Sequence, residues 1–299
     1  MISLKQLRYF DAVARLGHFG QAAEQCAVTQ PALSMQIQEL ERELGLVLVE
    51  RRRGGARLTE EGREIARRAA RVLADVRDLS DYAHHRGKLL TGRLQLGVIP
   101  SVAPYLLPRV LPALRETYPE LDIHIRETQT RQLTSELLEG ALDVILVALP
   151  VEEPQIETIR LFEDRFLLAL PPAYRIDSRV RATADLLTQD RLLLLEEGHC
   201  MRDQALTFCR LRKIENIDTF GASSLATLVQ MVKNGLGLTL LPEISLDVEA
   251  RHGTLNIMRF ADPEPSRTLG LAWRRTSPRK RDFVRLGQMI DAARPIAAA

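Results

Sequence analysis

The stretch HCMRDQALTFCRLR, residues 199 to 212, sets two thiols nine positions apart, with a histidine before the first and an arginine two positions after it. Most buried cysteines are inert small hydrophobes, the reading that suits Cys26 elsewhere in the chain. Zinc fits poorly, because Cys200 and Cys209 lack the short C-x-x-C spacing and have only His199 as a nearby third ligand. Acyl transfer lacks a nameable oxyanion donor or acid partner. Redox chemistry has a local electrostatic argument. Gly198 marks a loop and the residues after it read as a helix, so Cys200 falls at the positive end of a helix dipole, near His199 and Arg202. Both effects favour the thiolate, the form that attacks peroxide. If residues 202 to 212 are helical, nine positions at about 1.5 Å of rise separate the thiols by about 13 Å along the axis. A disulfide tolerates a Cα separation of only about 4.4 to 6.8 Å. Joining these two thiols would therefore require the segment to unwind.

The chain that must position these groups has 299 residues, enough for two or three compact units. Its 45% hydrophobic and 27% charged residues are those of an ordinary soluble protein. The start, MISLKQLRYFDAVARLGHFG, has no apolar signal-like core, and no stretch is long and apolar enough for a membrane span, so a cytoplasmic location without membrane contact is expected. Three cysteines are too few, and odd in number, for a secreted disulfide framework. No cofactor or metal is expected. Residues 1 to 90 carry 15 Lys or Arg against 12 Asp or Glu, and the remainder 26 against 27, so the small basic excess lies at the front.

That front reads as helices with one interruption. Ser3 caps a helix whose Leu4, Leu7, Phe10 and Val13 recur about once per turn. A short helix fits GQAAEQCA, and a third runs from about Pro31 to Leu44 with Gly45 as its stop. In the third, Leu33, Ile37, Leu40 and Leu44 form one buried stripe, leaving Gln30, Pro31, Ser34, Met35 and Gln38 for another surface. VLVERRRGGARLT is a hairpin with Arg51, Arg52 and Arg53 near its tip. From Thr59 to about Lys88 a long helix carries Ile65, Ala69, Val72, Val76, Leu79 and Ala83 at heptad spacing, a seam suited to pairing with a second copy. These are the parts of a winged helix-turn-helix. The third helix would present its amide and small side chains to base edges in the major groove, and the wing arginines would meet the phosphate backbone or the minor groove. A helical dimerisation module with a solvated basic loop is the blander alternative.

From LTGRLQLGVIPS the pattern changes. Apolar strands near 93–99, 122–127 and 144–148 alternate with helices near 105–118 and 130–140, which predicts a parallel α/β sheet. Further strands are expected near 165–170, 192–195, 217–220, 238–241, 256–259 and 268–273.

The first sixty residues resemble the DNA-binding domain of LysR-type transcriptional regulators. The resemblance rests on AA in the second helix, TQPALS opening the third, LE..LG and LxxR before the wing, and LTEEG after it. It implies an α/β protein with an N-terminal winged helix-turn-helix (1–59), a linker and dimerisation helix (60–90), and a regulatory domain (91–299). The regulatory domain would have two lobes like periplasmic binding proteins, lobe I at about 91–163 and 268–299 and lobe II at about 164–267. Promoter DNA, RNA polymerase and a homodimer or homotetramer follow as partners.

EEGHCMRDQALTFC, with GVIPSVAPYLLPRVLPALRETYPEL, ETQTRQL and SLATLVQMVKNGLGLTLLP, extends the resemblance to the hydrogen peroxide-sensing members of that family. What this implies is a peroxidatic Cys200 and a resolving Cys209 joined in a reversible disulfide. It also implies a peroxide pocket holding Ser101 and Thr130 as hydroxyl donors with His199, Arg202 and Asp203 around the thiol, and thioredoxin or glutaredoxin as reductant. Ser101 stands where some relatives carry threonine. The thiol would act stoichiometrically, as a sensor and not an enzyme. Two other readings remain at this stage: a regulator with an organic effector between the lobes, and a thiol peroxidase, against which the winged helix-turn-helix argues.

Overall fold

The computed structural model describes residues 1–52, 55–84, 88–174, 180–183, 186–187, 191–211, 217–250 and 254–295, with side chains throughout except at 51, 80, 81, 83, 84, 209–211 and 217–221. Arg53 and the side chains of Arg51, Ala83 and Cys209 therefore lie outside the described residues. By its internal contacts the chain forms two compact units, one of residues 1–86 with 138–141, the other of 87–137 and 142–299.

In the first unit α1 spans Leu4–Leu16. Ser3 Oγ accepts from Gln6 N at 3.2 Å while Ser3 N donates to Gln6 Oε1 at 2.8 Å, so two orphan donors are satisfied at the helix start. Gly17, at φ 62°, closes α1 in the left-handed region. Helix α2 spans Phe19–Gln25, and α3 spans Gln30–Leu44 with Gly45 (φ 68°) as its stop. Leu33, Ile37 and Leu40 are at most 1% exposed and pack with Phe10, Val13, Ala22 and Leu48. Each such burial stabilises by about 1.5–3 kcal/mol. Leu4, expected in the buried stripe of α1, is 49% exposed, because Tyr9 and Ala12 face the core instead. Strands β1 (Val49–Arg52) and β2 (Gly55–Leu58) pair antiparallel as the wing.

Helix α4, Glu60–His84, begins at a tight junction with α3's exit loop. Thr59 Oγ1 donates to Val47 O at 2.7 Å and accepts from Gly62 N at 2.8 Å. A Cβ at position 62 would lie 2.0 Å from Leu48 O, so only glycine fits there. The expected pairing seam on α4 is divided. Ala69 is 2% exposed inside the unit's own core and Ile65 packs against that core, because the helix starts alongside α1. Val72, Val76 and Leu79 are 42%, 38% and 70% exposed.

The second unit is built on β3 (Gly92–Val98), parallel to both β4 (Leu121–Glu127) and β5 (Val144–Leu149), with α5 (Ala103–Thr117) and α6 (Thr130–Leu138) as the connecting helices. The remaining sheet is not parallel. β6 (Ile156–Leu170) runs antiparallel to β11 (Ser266–Arg274), and β11 antiparallel to β5. β9 (Thr239–Pro242) and β10 (Asn256–Met258) pair antiparallel with the far half of β6. The expectation of a parallel sheet is thus corrected to a mixed one, since apolar periodicity reports which face is buried but carries no strand direction. β6 explains the join: residues up to Arg165 pair with β11, whereas Phe166–Leu170 are all buried and pair with β9 and β10. One strand therefore serves two cores. Beyond it lie β7 (Leu192–Leu195) parallel to β8 (Ile217–Ala222), α7 (Cys200–Leu211), α8 (Leu225–Lys233) and α9 (Leu246–Glu249), and α10 (Lys280–Ala292) closes the described chain.

Candidate redox site and DNA interface

Four consecutive buried leucines make β7, and the turn Glu196-Glu197-Gly198 then reverses the chain into α7. Gly198 has φ 94°, and a Cβ there would point at Gln129 Oε1, 2.3 Å away. Cys200 is the first residue of α7 and is a half-buried free thiol. The backbone N–H groups of Arg202 and Asp203 point back to His199 O at 2.9 and 3.5 Å. Cys209 belongs to the same helix, so the two residues are separated along its axis by about 13 Å. In this state no disulfide between them is sterically open.

His199 is 7% exposed, with Nε2 3.9 Å from Glu196 Oε1. Burial pushes its imidazole below the ordinary value, with Glu196 opposing. Burial thus disfavours the imidazolium form of His199 beside the start of α7. Arg202 is buried too, but its Nη1 donates to Leu195 O at 3.0 Å, bracing the turn between β7 and α7. Asp203 faces solvent.

A cavity of about 310 Å3 opens beside this turn, with Ser101, Tyr105, Glu127, His199, Ser224 and Glu249 in its wall. The residues preceding α5, α7 and α8 all reach it, and Ser224 Oγ caps α8 by accepting from Thr227 N at 3.2 Å. Helix N-termini turned toward one space favour an anion or a polarised oxygen there. Ser101 and His199 are thus brought to one cavity, whereas Cys200 and Thr130 stand outside its wall. Thr130 opens α6, and its Oγ1 is buried with no hydrogen-bond partner among the described residues. Its neighbour Gln129 donates from Nε2 to Glu197 O at 3.5 Å, which joins the starts of α6 and α7. Gln204 Oε1, one turn after Cys200, is likewise buried and unpartnered.

Two residues that sequence reasoning missed hold Ser101 in place. Arg267 donates from Nη1 to Ser101 Oγ at 2.7 Å, from Nη2 to Ser101 O at 3.1 Å, and from Nε to Asp164 Oδ2 at 2.8 Å. The side chains of Arg267 and Asp164 are fully buried. Burial holds the Asp164 carboxyl above its ordinary value, opposed in part by the Arg267 guanidinium and by Ile244 N, 3.1 Å from Oδ1. The sequence shows Arg267 only as a charged residue at the head of the apolar run TLGLAW.

In the first unit Gln30, Pro31, Met35 and Gln38 are exposed and Ser34 is half-buried, on the side of α3 opposite the Leu33–Ile37–Leu40 stripe. Arg52 is exposed on the wing, with Glu50 Oε2 3.1 Å away.

A three-helix unit with a two-stranded wing, joined by a long helix to a mixed α/β unit with a polar cavity, defines a class, and family comparison agrees. Residues 4–63 match the bacterial regulatory helix-turn-helix protein family of the lysR type, and residues 87–294 match the LysR substrate binding domain. The chain belongs to the LysR family. Among its relatives, the DNA-binding transcriptional dual regulator OxyR of Escherichia coli (strain K12) is 38% identical over 291 residues, 97% of this chain and 95% of the relative. A probable hydrogen peroxide-inducible genes activator of Streptomyces viridosporus is 42% identical over 293 residues, 97% of this chain and 94% of the relative. A full-length OxyR variant from Pseudomonas aeruginosa superposes with TM-score 0.84 at 34% identity, covering 100% of both chains. A hydrogen peroxide-bound OxyR mutant of Corynebacterium glutamicum gives TM-score 0.68 at 34% identity, covering 97% of this chain and 92% of that one.

Proposed function

We propose that this chain is a hydrogen peroxide-sensing, DNA-binding transcriptional regulator that works as its OxyR relatives are named to work. The observation that carries the reading is a free, half-buried thiol, Cys200, at the start of the same helix that contains Cys209, directly after His199, which reaches the cavity that Ser101 also lines. The Cys200 thiolate attacks one peroxide oxygen; the S–O bond forms, the O–O bond breaks, and the leaving hydroxide takes a proton to become water. Ser101 and Thr130 are assigned to holding the peroxide, His199 to exchanging hydrogen bonds with it, and Arg202 and Asp203 to shaping the helix start. Cys209 then attacks the sulfenic sulfur, expelling a second water and leaving a disulfide. Since that bond cannot close across an intact α7, oxidation unwinds the helix and changes how regulatory domains pair.

The same reading assigns residues 1–59 to DNA binding, 60–90 to the linker and 91–299 to two lobes that exchange chain along β6 and before β11. Gln30, Pro31, Ser34, Met35 and Gln38 read bases, and Arg51, Arg52 and Arg53 meet phosphates. Val72, Val76, Leu79 and Ala83 carry dimer pairing. The protein works in the cytoplasm as a homodimer or homotetramer with RNA polymerase at promoters, and thioredoxin or glutaredoxin resets the disulfide. Each oxidation spends the thiol once, so the protein is not an enzyme. Among the described residues no helix is long and apolar enough to cross a membrane.

The cavity itself favours one second reading, a small organic effector bound against Ser101, Glu127 and Ser224. Non-reducing peptide mapping after a brief micromolar peroxide pulse separates the two. A Cys200–Cys209 bond in the wild type, with a sulfenic acid trapped at Cys200 in Cys209→Ser, is the outcome expected of a sensor. If both thiols stay reduced under the pulse, the peroxide reading fails and the effector reading takes its place.

A further inference from the structure

The wall of the cavity beside Ser101 is closed by a ring of polar contacts that the thiol chemistry does not itself use. After β9 the chain makes a 3-10 turn, Glu243–Ser245, and enters α9, so that residues 243–249 form a short strap. Ser245 Oγ is buried and donates to Pro242 O at 2.7 Å, which tightens the turn. On one side, Ile244 N donates to Asp164 Oδ1 at 3.1 Å, and Asp164 grips Arg267, whose Nη1 donates to Ser101 Oγ. On the other side the strap is fastened to α5. Tyr105, one turn beyond Ser101 and 5% exposed, donates from its hydroxyl to Glu249 Oε1 at 2.8 Å. One turn further, Arg109 pairs with Asp247 across the surface. The ring therefore begins and ends on the start of α5: Ser101, Arg267, Asp164, the strap, Glu249, Tyr105.

Each link has a reason to be stiff. A fully buried Asp164 carboxylate is costly unless its acceptor sites are filled, and the strap supplies one of its donors. The planar guanidinium of Arg267 has its donors in a fixed fork, so a displaced Asp164 displaces the donor on Ser101. Because Arg267 donates to Ser101 Oγ, the hydroxyl proton of Ser101 remains available for another acceptor. Burial and the Glu249 carboxylate push the Tyr105 phenol above its ordinary value, so it stays a donor.

We infer that Tyr105, Glu249, Arg109 and Asp247 are positioning residues for peroxide recognition, clamping the 243–249 strap onto Asp164 and thereby fixing, through Arg267, the hydroxyl of Ser101. The inference rests on the proposed peroxide chemistry, with Ser101 as a peroxide-holding hydroxyl. None of the four touches the thiol, so their loss alters the reaction with peroxide while leaving the bare reactivity of Cys200 in place.

The test uses full-length reduced protein and two reagents on the same thiol. Hydrogen peroxide needs the oriented hydroxyl; iodoacetamide does not. Both rates are read on the Cys200 peptide by mass spectrometry. Tyr105→Phe is expected to slow oxidation on the order of fivefold while alkylation stays within about twofold of wild type. Glu249→Gln, which keeps an acceptor oxygen for the Tyr105 hydroxyl, is expected to lose less. Should Tyr105→Phe fold poorly, Asp247→Asn at the exposed pair carries the same comparison. Wild-type oxidation rates in these variants, or oxidation and alkylation slowed in equal measure, would overturn the inference. A wild-type protein that alkylates at Cys200 yet ignores peroxide would remove the peroxide reading, and this inference with it.

Discussion

Ser101 meets Arg267 through both its hydroxyl and its carbonyl, an arrangement that needs the oxygen and not the size of the side chain. Ser101→Ala leaves a buried guanidinium donor unpaired and removes the proton offered to peroxide. Oxidation of Cys200 in that variant is expected to slow on the order of tenfold, measured by trapping the sulfenic acid in a Cys209→Ser background. Ser101→Thr restores the hydroxyl and is expected to stay within about threefold of wild type. His199 supplies a pH dependence whose sign follows from burial. Its folded value lies below its unfolded value of about 6.5, so the stabilisation of the neutral form is complete above that pH and is lost as pH falls through and below it. Urea midpoints between about pH 5 and pH 8 should therefore fall on the acid side for wild type, with a shallower fall in His199→Gln. An identical acid slope in the two proteins would assign the loss to other groups.

Elements join where backbone approaches backbone. At the start of α4 the carbonyl of Leu48 occupies the space a side chain at position 62 would need, and Thr59 Oγ1 bridges Val47 O to Gly62 N. Gly62→Ala must push α4 off the wing, and a loss of about 1–3 kcal/mol is expected in the unfolding of the N-terminal unit. Equilibrium urea unfolding followed by helix content checks it, and an unchanged midpoint would mean the junction relaxes freely. Helix α7 is organised differently. Its first residue is the thiol proposed to react, its ninth further residue is the second cysteine, and its entry turn depends on a left-handed Gly198 against Gln129. A helix tied down at its entrance by Arg202 is one whose remainder can unwind without dragging β7 with it.

For the whole molecule, the exposed stripe of α4 sets the expectation. Val76 and Leu79 are 38% and 70% exposed in the single chain, so charging them costs the fold little. Val76→Glu with Leu79→Glu is expected to shift sedimentation toward the monomer and weaken DNA binding, with the urea midpoint moved by less than about 0.5 kcal/mol. An unchanged association state would transfer pairing to surfaces of the regulatory unit.

Much of this was legible in the residues themselves. The Leu33–Ile37–Leu40 stripe, the Ser3 cap, the Gly45 stop and the wing are local or periodic features that local physics suffices to read, and the alternation of strand and helix marks β3, β4 and β5 as parallel. The placement of Cys200 at a helix start, nine residues before Cys209 in the same helix, follows from Gly198 and the apolar run before it in the same way. Tertiary structure alone decided the rest. Ile65 and Ala69 have the same spacing as Val72 and Val76, but only packing against α1 separates the pair that serves the chain's own core from the pair left exposed. The antiparallel course of β6 and β11 leaves no mark in periodicity, because alternation records faces and not directions. Arg267 and Asp164 lie 103 positions apart in sequence, and Arg267 lies 166 from Ser101, so no spacing rule joins them. His199 stands next to a thiol in the sequence, but the burial that pushes its imidazole below the ordinary value is a property of the folded chain alone.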